Sequence, residues 1–346
     1  MNGATVLVTG GAGFVGSNLV RALLEHDTTS SVVILDRAVD ELAASSLAPY
    51  GERVTVQLGD ITDPQTFAAL PQRERITHVV HGAMIAHVPA WEQDDPSAYV
   101  RVNILGTVNV LEYARRQPTV ARLLYLSSGA VYGEPTAASP EASQPESGPF
   151  NPSETYGISK HTSELLARRY ADLFALDVRI ARLSWVFGPM ERATSGRTIM
   201  SPPHAIVSAI VAERALTVTR RSLDAVGDFL SAEDVAAGVV ALLMAPTPEH
   251  VSYNIALGQL VRLGEVLELA GRIQPAFHYT VVDDDQPADL DHDPTLRRAR
   301  WNAYAIQRMQ RDVGWRPRPL AAQLRSYFDW ALANPATRWP TGLEVA

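Results

Sequence analysis

The chain has no cysteine, which excludes disulfides, thiolate metal sites and cysteine nucleophiles. None of its apolar runs is long enough to cross a bilayer. The opening residues, Met1 to Gly10, lack a basic segment followed by a long apolar stretch. They run straight into a strand pattern, so no secretory leader is expected and a cytoplasmic location is. Positive charge is also short: the formal net charge of −8 argues against a general nucleic-acid or anionic-membrane binder. The nine histidines show no His-Glu-x-x-His or similar ligand spacing, so no metal is expected. Lysine is all but missing. Lys160 is the only one, and every other basic side chain of this type is arginine.

A compact ammonium is retained where a planar guanidinium fork cannot serve. Lys160 lies four residues after Tyr156 in Thr155-Tyr-Gly-Ile-Ser-Lys160, so on a helix the two share a face. An ammonium beside a phenol favours the phenolate, whose ordinary pKa is about 10, and makes a general acid/base usable near neutral pH. A solvated tyrosine and lysine on a helix face fit the same spacing. The surrounding sequence has to decide between them.

Short apolar runs at 5–9, 31–35, 53–57, 78–81, 122–126 and 178–183 read as buried parallel strands. Helical stretches at 15–26, 99–117 and 154–176 alternate with them, which implies βαβ units. The expected fold is α/β: a Rossmann doubly wound parallel sheet with a smaller C-terminal α+β substrate lobe. Residues 1–184 form the dinucleotide-binding part and 228–250 return to it. Residues 185–227 and 251–330 form the smaller lobe, and 331–346 a tail. A hydrophobic share of 46% with 20% charged residues suits such an enzyme. Asp283 to Asp285 and Asp289 to Asp293 match no calcium loop and read as solvated acidic loops. The basic stretch Arg297 to Arg318 reads as a charged helix face.

Gly10-Gly-Ala-Gly-Phe-Val-Gly16 follows the first strand and opens the first helix. Glycine permits a tight turn with close backbone approach, and the helix start attracts a pyrophosphate. Asp36 ends the second strand about 20 residues on, where a carboxylate binds the adenosine ribose and repels a 2′-phosphate. NAD is therefore favoured over NADP, with Arg37 keeping NADP open.

These pieces, with Gly59-Asp60-Ile61, His81-Gly-Ala-Met84, Val102-Asn103, Ser127-Ser-Gly-Ala-Val-Tyr-Gly133, Arg182 to Pro189 and Asp228-Phe229, give a chain that resembles the extended short-chain dehydrogenase/reductase family. The likeness is to its epimerase/dehydratase branch, which includes UDP-galactose 4-epimerase. It implies a Ser128-Tyr156-Lys160 catalytic set and a cofactor site built from Gly10, Gly13, Phe14, Val15, Gly16, Asp36, Arg37, Asp60 and Ile61. Gly82, Ala83, Met84, Asn103, Ser127, Tyr156, Lys160 and Leu183 complete that site. It also implies a homodimer formed through the helices at 99–117 and 154–176.

The substrate is less defined. Sugar 4,6-dehydratases of the branch carry an Asp-Glu pair after the catalytic threonine, and here those positions are Gly129 and Ala130, which argues against that reaction. Many relatives hold a nucleotide diphosphate with an asparagine and an arginine where this chain has Trp185 and Gly227. Ser128, Trp185, Arg192 and Arg197 are the substrate candidates, with Arg220 or Arg221 as further possible anion ligands. The expected function is hydride transfer at a hydroxyl or ketone carbon of a sugar, sugar acid or related polyol. A nucleotide-sugar 4-epimerase with bound NAD and a catalytically silent dinucleotide sensor are the alternatives.

Overall fold

A computed structural model describes residues 3–134, 143–294 and 302–335. Six strands, β1 (Thr5–Thr9), β2 (Ser31–Asp36), β3 (Val54–Leu58), β4 (Ile76–His81), β5 (Arg122–Ser128) and β6 (Val178–Leu183), follow in chain order. With Ser252–Ile255 they make a seven-stranded sheet ordered Ser252–Ile255, β6, β5, β4, β1, β2, β3. Every pairing in it is parallel. Residues buried on both faces produce the continuous apolar runs, as in β1, where all five side chains are covered. Strand order reverses at β1, between β2 and β4. The resulting crevice opens at the carboxyl ends of these strands, where such sheets bind ligands.

The helix Ala232–Met244 packs Val235, Val239, Leu242 and Leu243 into the same core as Leu19, Val20, Leu23 and Leu24 of the first helix, Phe14–His26. The seventh strand, Ser252–Ile255, lies inside the stretch that sequence reading gave to the smaller lobe. Four buried residues, Ser-Tyr-Asn-Ile, are too short and too mixed to announce a sheet strand. The smaller lobe has its own core around Ile206, Val218, Phe229, Leu267, Leu324 and Phe328. The C-terminal helix Leu320–Ala333 packs there, across the expected start of the tail.

The expected helix 99–117 is broken into Ser97–Tyr99, a π-turn Val100–Leu105, and Gly106–Arg116. Asn103 sits in the π-turn and donates to Ile85 O (3.0 Å) and Ser159 Oγ (3.0 Å) while accepting from Ile85 N (2.9 Å). A π-turn thus joins this helix to the segment after β4 and to the Tyr156 helix, Thr155–Phe174.

One turn beyond Lys160, Glu164 is 1% exposed and forms a bidentate pair with Arg182, also 1% exposed, at 2.9 and 2.7 Å. It accepts as well from Ser127 Oγ at 2.6 Å. Removing one partner strands a buried charge. Glu164→Ala should therefore cost about 3–5 kcal/mol in denaturant unfolding, whereas Glu164→Leu combined with Arg182→Met should recover a large part of it.

Candidate active site

A cavity of about 970 Å³ lies over the ends of β1, β4, β5 and β6 and is closed on its other side by the smaller lobe. Its cofactor half is the glycine turn. Gly10 has φ +73°, and a Cβ there would come within 2.7 Å of Ala83 N, so the turns after β1 and β4 touch backbone to backbone. A side chain on Gly16 would collide with the Gly10 carbonyl. The helix beginning at Phe14 has no side-chain cap, and its first N–H groups are open to an anion. Asp36 accepts from Ala12 N (3.0 Å) and Arg37 N (2.8 Å), leaving its outer lone pairs for hydroxyl donors. Burial raises its pKa, against the pull of those hydrogen bonds. The Arg37 guanidinium is turned aside onto Ser195 Oγ at 3.0 Å.

Gly13, Phe14, Val15, Asp60, Ile61 and Leu183 line the same cavity, as do Gly82, Ala83, Met84, Ser127 and Ser128. Asn103 does not line it. Its amide is consumed by Ile85 and Ser159, so it shapes the wall from behind.

At the centre, Tyr156 is 8% exposed and its hydroxyl is 4.0 Å from Met84 Sδ. Burial pushes the phenol up to about 12, opposed by hydrogen bonding from Ser128 and by the charge of Arg197. This corrects the expectation of a phenol lowered by Lys160. The Lys160 ammonium donates to Leu126 O at 2.6 Å and Met84 Sδ at 3.2 Å, and lies 4.3 Å from the Tyr125 ring centroid. It is directed at the end of β5 rather than at the phenol. Burial brings its own pKa down to about 7, with Glu164 opposing.

The substrate half differs more from expectation. Arg192 does not face it: Asp40 (2.5 and 2.9 Å) and Ala12 O (3.0 Å) hold it beside the glycine turn. Arg197 does line the cavity, with its charge paired to fully buried Glu191 at 2.6 Å. Trp185 lines it too, backed by Phe229 at 5.4 Å between ring centroids. A Cβ on Gly227 would lie 2.6 Å from the Phe229 ring, so no side chain fits there. The stretch Asp289–Asp293 is not a solvated loop. Asp289 pairs with Arg214 (2.8 and 2.9 Å), Asp291 with Arg221 (2.7 and 2.5 Å), and both carboxylates line the cavity. Only the Asp283 end is solvated, its side chain 73% exposed. Arg220 pairs loosely with it at 3.6 Å and faces solvent. Arg297 to Arg300 lie outside the described residues.

Sequence reading missed Asp228 as a structural anchor and Tyr304 as part of the cavity. Asp228 accepts from the amides of Leu257 (2.8 Å), Gly258 (3.0 Å) and Tyr304 (3.3 Å), and burial raises it to about 6. The Asp-Phe echo at 228–229 was a signal for the first; no motif marks the second.

Lys160 makes the ligand-free protein pH-dependent. Its folded pKa of about 7 lies below the ordinary 10.5, so the unfolded chain binds the extra proton between these values. The penalty is complete below about pH 7 and disappears as pH rises towards 10.5. Relative to Lys160→Met, the wild type should gain unfolding free energy between about pH 7 and pH 9.5, measured by urea titration without cofactor.

The sequence model described as the NAD dependent epimerase/dehydratase family matches residues 6–256. A dTDP-glucose 4,6-dehydratase of Mycolicibacterium smegmatis is 30% identical over 340 residues, covering 95% of this chain and 93% of its own. The UDP-glucose 4-epimerase of Thermotoga maritima, solved with UDP-glucose, has the same fold with a TM-score of 0.76. Its identity is 20%, over 94% of this chain and 98% of that one. Bordetella bronchiseptica WbmF, solved with NAD+, gives a TM-score of 0.74 at 24% identity, covering 96% of this chain and 94% of its own. The dehydratase among these relatives runs against the expectation that set 4,6-dehydration aside; epimerases and dehydratases are both represented. On the extent of these matches, with the glycine turn and the Ser128, Tyr156 and Lys160 arrangement in place, the chain belongs to the NAD-dependent epimerase/dehydratase family.

Proposed function

We propose that the protein is an NAD-dependent oxidoreductase acting at a hydroxyl or ketone carbon of a sugar, sugar acid or related polyol in the cytoplasm. The observation that carries this reading is the meeting of Ser128, Tyr156 and the glycine turn in one cavity, with Lys160 immediately behind its wall. The residues fit the dinucleotide: open amides at the Phe14 helix start for the pyrophosphate, Asp36 for the adenosine ribose, and Asp60 and Ile61 beside the adenine. Lys160 would hold the nicotinamide ribose, replacing the weak sulfur acceptor of Met84 with a hydroxyl. When bound, NAD supplies the hydride acceptor and donor. Ser128 orients the substrate oxygen, and Tyr156 exchanges that oxygen's proton. Arg197 is the described cation acting on the phenol, and it lowers the cost of the phenolate.

The substrate half supports a substrate without a diphosphate. Among the described residues lining it, Arg197 and Arg221 are both paired with carboxylates, and position 227 is closed by Phe229. A free guanidinium fork is what a diphosphate normally requires. The second reading is a nucleotide-sugar 4-epimerase with retained NAD, supported by the dTDP- and UDP-sugar enzymes among the relatives. Gly129 and Ala130 weigh against 4,6-dehydration, and the intact trio weighs against a silent sensor.

Absorbance at 340 nm with NAD and a panel of free sugars, sugar acids and polyols tests this, with UDP- and dTDP-sugars in parallel. NADH formation from a free substrate should fall by about 10²–10⁴ in Tyr156→Phe while NAD affinity is retained. Interconversion of a nucleotide sugar without net NADH would establish the second reading instead.

A homodimer is part of the proposal. Leu105 at the end of the π-turn and Ile158, Leu165 and Leu173 on the neighbouring Tyr156 helix are 46–55% exposed, apolar surface suited to a second copy. Light scattering should give twice the chain mass, and Leu105→Glu with Leu165→Glu should give the single mass.

A further inference from the structure

Ser128 is followed by Gly129 and Ala130, so no ionisable side chain comes directly after it. The segment after β4 supplies one. His87 lines the same cavity as Ser128 and Tyr156, as does Glu154. The other described histidine of the lining, His292, stands edge-on to Trp185 on the side of the smaller lobe.

The backbone on both sides of His87 is fastened. Val88 N donates to the Tyr99 hydroxyl at 2.9 Å, and Ala86 N donates to Gly196 O at 2.8 Å. The Tyr99 ring in turn packs edge-on against Tyr156, with 6.5 Å between centroids. Two carboxylates orient the imidazole. Its Nδ1 is buried, 3.4 Å from Glu154 Oε2 and 3.7 Å from Glu92 Oε2. Glu92 also accepts from the amide (2.5 Å) and the hydroxyl (2.6 Å) of Thr155, the residue before Tyr156. Ionised carboxylates only accept, so the proton of a neutral ring belongs on Nδ1 and the lone pair on Nε2. The side chain is 27% exposed although Nδ1 is covered, which leaves the edge bearing Nε2 as the open one.

We propose that His87 is a second proton-transfer residue of the site, a base that enolises the ketone made with Ser128 and Tyr156 by taking a hydrogen from the carbon beside it. This rests on the oxidoreductase reading above and deepens it. Once hydride has passed to NAD+ and the hydroxyl proton to Tyr156, the new carbonyl acidifies the hydrogen on the adjacent carbon. His87 Nε2 takes that hydrogen as a proton. The C–H electron pair becomes the C=C π bond, and the carbonyl π pair moves onto the oxygen, which accepts from Tyr156 and Ser128. Glu154 and Glu92 stabilise the imidazolium, as carboxylates do where they orient a histidine base. Reversal returns the proton to carbon and the pair to the carbonyl, so the cycle consumes no co-reactant. Besides oxidation, the site then performs the step that opens epimerisation, elimination or ketone migration at the adjacent carbon.

Deuterium uptake tests this. Whichever panel compound the wild type oxidises is incubated with protein and NAD in D2O, and NMR reads deuterium at the adjacent carbon. The wild type should incorporate it faster than buffer alone. The ratio of deuterium incorporated to hydride transferred should fall about 100-fold in His87→Asn, which keeps a donor towards Glu154 but has no basic nitrogen. Glu154→Gln should lower the ratio too. NADH formation without exchange in the wild type, or an unaltered ratio in His87→Asn, would overturn the proposal. A second measurement needs no substrate: nitrogen-15 NMR of histidine-labelled protein at a pH where the ring is neutral, with His87→Asn giving the assignment. It should show the proton on Nδ1, and a proton on Nε2 would be equally fatal. If the wild type oxidised nothing in the panel, the proposed function would fail, and the tautomer would still decide whether His87 presents a base to the cavity.

Discussion

The buried pairing of Glu164 with Arg182 is the contact on which the rest of the site depends. Its carboxylate joins the Tyr156 helix to β6 through Arg182 and to the end of β5 through Ser127. Arg182 continues the chain of bonds to Tyr132 and to the Glu146 carbonyl. The same negative charge opposes the loss of the proton from Lys160, four residues earlier on the helix. Two ions withdrawn from water are expensive, and only good geometry and full hydrogen bonding make such a pair tolerable. Here both conditions are met, and the helix carrying Tyr156 is fastened to the strand ends.

Electrostatic balance in the cavity has a second theme: arginines answered by carboxylates. Arg197 meets Glu191, Arg221 meets Asp291, and Arg214 meets Asp289. These pairs let the smaller lobe hold cations near the cavity without presenting a strong anion trap among the described residues. They also explain why a run of aspartates around 289–293 is part of a wall and not a solvated loop. Tyr156 and Lys160 are both drawn towards their neutral forms by burial, in opposite pKa directions. A site arranged in this way is set up to favour charge only when a ligand brings its own compensation.

Much of this was legible along the chain. Continuous apolar runs reported the parallel strands because both faces of the sheet are covered, and the Gly10 to Gly16 turn reported the ligand crevice because its chemistry is local. Tyr156 and Lys160 were legible because a helix period places them on one face. The direction of the Lys160 ammonium was not, since it depends on the Leu126 carbonyl and the Met84 sulfur, contributed by two other strand ends. Asn103 was read as near the cofactor, yet its amide closes on Ile85 and Ser159 through a π-turn that the periodicity of a helix does not reveal.

By itself, the sequence determined what depends on near neighbours: the alternation of strands and helices, the glycine turn, and the identity of the serine, tyrosine and lysine. Tertiary structure alone decided which distant groups share a space. It put Arg192 beside the glycine turn, closed position 227 with Phe229, turned the acidic stretch into the cavity wall, and filled the void beside Gly129 with Tyr304. The physical reason is range. Backbone propensity and side-chain period act over a few residues, whereas close packing and charge pairing are satisfied by whatever the fold brings within a few ångströms.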